Sequence, residues 1–114
     1  MRTIALLRPA PGASFEAIGA ILPREEPVLW SYIAAGECRA IHYDAARPGG
    51  VVLEFETNTR ERARALVAAF PLVAEGFMEA EFLELEPYTG LALMFRPEFG
   101  FAPRPPDAWR RAGA

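Results

Sequence analysis

The chain holds one histidine, His42, and a glutamate, Glu54, on either side of an Arg47-Pro48-Gly49-Gly50 turn. The residues around them alternate. Ile41, Tyr43, Val51, Leu53 and Phe55 are apolar and odd-numbered, while Ala40, His42, Asp44, Glu54 and Glu56 are even-numbered and mostly polar, with Val52 the exception. Strand side chains point to opposite faces with period two. A hairpin therefore puts the apolar set on a core face and His42, Asp44, Glu54 and Glu56 on the other. A register that sets His42 against Val52 makes Glu54 its diagonal neighbour, roughly 5–8 Å away at Cβ. An imidazole beside a carboxylate in a sheltered site is suited to proton transfer, with His42 as the acid–base group and Glu54 as its orienter. Arg8, at the end of the first apolar run, can hold a substrate carboxylate with two hydrogen bonds. Trp30 and Tyr32 can flank a substrate. The plainer alternatives are an ordinary ion pair for His42 and Glu54 and simple packing for the two aromatic residues.

Other chemistry is excluded by composition. Every basic side chain is an arginine, so Schiff-base chemistry and a P-loop lysine are ruled out for this chain. Cys38 is the single cysteine, so neither an intrachain disulfide nor a cysteine zinc site can form, and the expected setting is a reducing one, the cytoplasm. With one histidine, a several-histidine metal site within the chain is also out. No metal or other cofactor is expected. The net charge of −3 gives no basis for nucleic-acid or anionic-membrane binding. No apolar run approaches the ~20 residues of a membrane span, and Thr3–Leu7 is too short for the core of a signal peptide.

The elements that must position these residues follow from periodicity. The 114 residues, 52% hydrophobic, suit one domain that folds without staples. Arg2–Arg8 reads as a strand closed by Pro9, Pro11 and Gly12. Ser14 is a natural N-cap. Phe15, Ile18, Ile21 and Leu22, then Val28, Leu29, Tyr32 and Ile33, recur at helical spacing up to Gly36. Pro23 and Pro27 predict either two helices or one interrupted helix. The hairpin strands are Arg39–Asp44 and Val51–Glu56. A second helix over Thr59–Phe70 carries the apolar stripe Ala63, Leu66, Val67 and Phe70, capped by Asn58 or Thr59 with Glu61 reaching back toward Asn58. Phe77–Glu86 is an acidic strand whose alternation changes phase at Phe82-Leu83, which predicts a bulge. The order is β-α-β-β-α-β, the ferredoxin-like α+β arrangement: a four-stranded antiparallel sheet with helices on one face.

Composition divides the chain at residue 96. Residues 1–95 form the ferredoxin-like domain, and 96–114 are a proline-rich tail. The tail carries Arg96, Arg104, Arg110 and Arg111 against Glu98 and Asp107, and it is expected to dock on the acidic last strand of its own or a partner subunit.

Three segments resemble a known family. They are the helix-glycine-strand junction Ile33-Ala34-Ala35-Gly36-Glu37-Cys38-Arg39, the turn and strand Arg47-Pro48-Gly49-Gly50-Val51-Val52-Leu53-Glu54, and the run from Ala65 through Phe70-Pro71-Leu72-Val73-Ala74-Glu75-Gly76 that leads to Pro87-Tyr88. Together they resemble the small muconolactone isomerase-like and YciI-like proteins of the dimeric α+β barrel superfamily, over about Arg2 to Phe95. The resemblance implies a homodimer in which two sheets face one another around a cavity for a small-molecule ligand. It implies an enzyme that transfers a proton on an unsaturated lactone or related acid. Cofactor-free oxygenation or non-catalytic ligand binding are the alternatives. The proline-rich tail and the proline-broken first helix depart from the family pattern.

Overall fold

In a computed structural model that describes residues 1–99, the elements are β1 (Arg2–Pro9), α1 (Phe15–Ala34), β2 (Cys38–Tyr43), β3 (Val51–Glu56), α2 (Arg60–Ala68), a single turn α3 (Pro71–Ala74) and β4 (Met78–Glu84). Two 3₁₀ segments follow, Gly90–Phe95 and Pro97–Phe99. The sheet order is β2-β3-β1-β4, every pairing antiparallel. This is the ferredoxin-like α+β fold expected from the pattern. Arg104, Arg110 and Arg111, on which the tail-docking expectation rests, lie outside the described residues. Arg96 meets Glu98 at 3.9 Å within its own segment.

The odd positions of β1 and β3 (Thr3, Ala5, Leu7, Leu53, Phe55) are buried beneath the helices. They pack with Ile21 and Tyr32 of α1 and with Ala63, Leu66 and Val67 of α2. Tyr32 sits edge-on to Phe55 and Phe70, with ring centroids 6.4 and 5.2 Å away, and its hydroxyl donates to the Leu66 carbonyl at 2.8 Å. Leu66 lies in the last turn of α2, where carbonyls lack helical partners, so Tyr32 closes that helix from the side.

Four local expectations change. First, α1 is one continuous helix despite its two prolines. Pro23 and Pro27 are spaced by four and both exposed. The carbonyls deprived of a partner, those of Gly19 and Pro23, thus fall on the outer side, where water satisfies them. Second, Thr59 alone caps α2, accepting from Arg62 N–H at 3.1 Å, so there is no reach-back to Asn58. Third, β4 pairs with β1 without interruption. Phe82 opposes Ala5 on the helix side and Leu83 opposes Ile4 on the bare side, so the phase change marks a sheet with apolar residues on both faces. The bulge is instead at Arg39, between the Cys38–Phe55 and Ala40–Glu54 pairs. It explains why even-numbered Cys38 is buried on the same side as odd-numbered Leu53. Fourth, Ile41 and Tyr43 do not enter the core: Tyr43 is 86% exposed. α1 does not reach over the end of edge strand β2, and a hollow remains there.

Candidate functional site

Beneath α1, on the helix side of the sheet, lies a cavity of about 610 Å³. Its floor is Leu7, Val51 and Leu53, and its far walls include Phe70, Leu72 and Met78. α1 contributes Ile18, Leu22, Glu25 and Leu29 along one face, with Phe15 at the open end. That size suits a drug-sized or smaller ligand, and a largely apolar lining with few polar groups is the usual character of such sites.

Glu25 is the buried polar side chain within it, while Glu26, His42 and Tyr43 line it from exposed positions. Glu25 occupies a core position of α1, in register with Ile18, Ile21, Leu22, Leu29 and Tyr32, and is only 6% exposed. Its Oε2 accepts from the Leu72 backbone N–H at 3.1 Å. Leu72 belongs to α3, whose N-cap Phe70 provides no side-chain cap, so Glu25 supplies the missing acceptor from another helix. Among the described residues, Oε1 receives no hydrogen bond. Burial pushes the Glu25 carboxyl above the ordinary carboxylate range. The Leu72 hydrogen bond opposes this, and the negative charges of Glu26 and Glu75 add to the rise. A carboxyl with a raised pKa in an apolar pocket is suited both to taking and to returning a proton.

The bare face of the sheet carries the residues expected from the alternation. His42 pairs with Val52, as the expected register requires, and Glu54 pairs with Ala40 one step along, diagonal to His42. Glu54 is nevertheless engaged elsewhere: Arg2 pairs with Glu54 through Nη1 and with Glu56 through Nε, the latter at 2.8 Å. Arg8 is held by Glu81 at 2.5 Å. The two pairings follow from the sheet order, because β1 lies between β3 and β4. Arg8 also lines a smaller hollow of about 190 Å³ with Asp44, Arg47, Val52 and Glu81. His42 is exposed and also borders the larger cavity from edge strand β2. Trp30 is 66% exposed on α1, Tyr32 belongs to the core, and neither lines the cavity.

Sequence reasoning does not single out Glu25. Its signal was present: a glutamate at a position of the helical repeat where every neighbour on the same face is apolar. The buried Cys38 thiol, its pKa raised by burial, is set for packing rather than for reactivity. Among the described residues, no group of three or more His, Cys, Asp and Glu side chains could hold a metal ion, and no helix is long and apolar enough to cross a membrane.

No protein-family profile matches the chain, and no curated protein is significantly similar to it in sequence. Solved structures do match. One is the 5-chloro-2-hydroxyhydroquinone dehydrochlorinase of Burkholderia phenoliruptrix AC1100, in complex with 2,5-dihydroxybenzoquinone. It is 11% identical, with a TM-score of 0.59 over 77% of this chain and 97% of that one. Another is an antibiotic biosynthesis monooxygenase, 16% identical, with a TM-score of 0.47 over 76% of this chain and 100% of that one. At such identity the likeness to the dehydrochlorinase speaks to fold, and it agrees with the ferredoxin-like topology of the sheet.

Proposed function

We propose that this chain is a small-molecule enzyme that transfers a proton on an unsaturated ring, the reaction type implied by its resemblance to muconolactone isomerase, and that the reaction takes place in the cavity beneath α1. The observation that carries this reading is the buried carboxyl of Glu25, with one oxygen tied to Leu72 N–H and the other left for a ligand. Moving a double bond around a ring requires a proton to leave one carbon and arrive at another, and one carboxyl held next to both carbons can perform the two steps. Apolar walls exclude the water that would otherwise compete. The dehydrochlorinase of similar fold also acts on a small ring compound, which is compatible with this reading.

The test is solvent-deuterium incorporation into a panel of unsaturated lactones and cyclic enones, with and without a ring hydroxyl, followed by NMR. Wild type should exchange a ring position, and Glu25→Gln should slow that exchange by roughly 10²–10⁴-fold, the range for loss of a general acid–base group. Exchange by Glu25→Gln at the wild-type rate would refute the assignment.

A second reading is favoured by the hollow at Arg8 and Arg47 and by the His42–Val52 register. Here His42 is the acid–base group, Glu54 its orienter and Arg8 the anion contact, on a sheet face that a second copy covers, and Trp30 and Tyr32, on α1 across the sheet, take no part. It requires Glu54 and Arg8 to leave Arg2 and Glu81. His42→Ala with full activity would end it.

A further inference from the structure

The cavity beneath α1 has a charge character that its shape alone does not convey. The formally charged side chains among its lining residues are Glu25 and Glu26, both on α1, and no arginine lines it. Arg24, next in sequence, points elsewhere and is occupied by Glu75 at 2.9 Å. The charges that act on Glu25, those of Glu26 and Glu75, are both negative. The arginines that could receive an anion, Arg8 and Arg47, line the separate small hollow. At the open end stand Phe15 and Tyr43, both largely exposed, offering aromatic faces to an apolar body or to a cation.

We infer that this cavity selects its ligand by charge: it takes an apolar molecule bearing a hydrogen-bond donor, a hydroxyl or an ammonium, and rejects carboxylates, with Glu25 and Glu26 as the specificity-determining residues. The inference rests on the cavity being the functional site and narrows what that site accepts. A donor satisfies the free oxygen of Glu25 in its ionised form, whereas an acceptor leaves that oxygen unpaired in an apolar setting. Beside ionised Glu25 and Glu26 a carboxylate would add a third negative charge, with no arginine in the lining and only the exposed imidazole of His42 on its border to offset it, and like-charge placement at a desolvated site strongly disfavours binding. The substrate is then a neutral or positively charged ring compound, not one of the acids that the family resemblance also allows.

Three near-isosteric probes test this by calorimetry and thermal shift on the full chain: 2-phenylethanol, 2-phenylethylammonium and phenylacetate. The alcohol, the ammonium or both should bind, with phenylacetate weaker by roughly tenfold or more. The better of the first two identifies a hydroxyl or a cation as the preferred donor. Glu26→Gln, at an exposed position, should narrow the gap, and Glu25→Gln should narrow it further. Phenylacetate binding as tightly as the alcohol, or a gap unchanged in both variants, overturns charge selection while leaving the cavity as a binding site. Binding of none of the three, with deuterium exchange of lactones that lack a hydroxyl still present, overturns the donor requirement alone. Loss of both binding and exchange removes the cavity reading itself.

Discussion

Glu25 serves folding and, on the proposed reading, chemistry with one side chain. It caps α3 through Leu72 N–H, and it occupies a core position at the cost of desolvating its charge. Because its pKa is raised in the folded state, its protonated form is the one that favours folding. That contribution is complete below the ordinary carboxyl pKa of about 4.3 and is lost as pH rises through the folded value. Glu25→Gln keeps an acceptor for Leu72 and removes the charge. It should be more stable than wild type toward urea at pH 7, and the difference should close near pH 4. A variant less stable at pH 7 would show that the charged carboxylate is needed there. Tyr32 gives a second test. Tyr32→Phe retains the edge-on contacts with Phe55 and Phe70 but leaves the Leu66 carbonyl without its donor, for an expected loss of about 1–2 kcal/mol in denaturant melts.

At the scale of elements, the cavity exists because α1 and the β2–β3 hairpin meet only at their ends. The hairpin loop is fastened by Asp44, whose side chain accepts from Ala46 N–H at 2.9 Å, and by Gly49 at φ +77°. A Cβ on Gly49 would stand 2.7 Å from Phe15 Cε1 and 2.8 Å from Pro9 Cγ, so the loop presses directly on the first residue of α1. Gly49→Ala combines a left-handed backbone with that clash. It should lower stability by about 1–2 kcal/mol and shift the Phe15 ring resonances as the cavity mouth opens. The cap at Thr59 is simpler: Thr59→Ala should cost about 1 kcal/mol through α2, with no change at the cavity.

For the whole molecule, the unanswered surface is the bare sheet face. Ile4, Leu6 and Val52 are half-buried there, Leu83 is 48% exposed, and the ion pairs Arg2–Glu54 and Arg8–Glu81 flank them. Such an apolar strip with a charged border is suited to pairing with a second copy. Sedimentation of the full chain should therefore give a dimer, and Leu83→Glu should give a folded monomer. A wild-type monomer would exclude the face-to-face arrangement and, with it, the His42-centred reading. Salt tests the exposed ion pairs: 1 M NaCl should change stability by less than about 1 kcal/mol, because pairs as exposed as Arg24–Glu75 and Arg8–Glu81 contribute little.

Local periodicity alone determined the order of the elements and the core positions of β3 and α2, because each depends on how apolar residues recur along a strand or helix. Only the three-dimensional packing decided what those faces meet. It placed β1 between β3 and β4, so Arg2 and Arg8 found Glu54 and Glu81 across strands that are distant in sequence. It left Ile41 and Tyr43 beyond the reach of α1. It also turned Glu25 into a buried acid, since its environment is assembled from α1, α3 and the sheet. Burial and charge pairing are properties of neighbours far apart along the chain, and no period in the sequence encodes them.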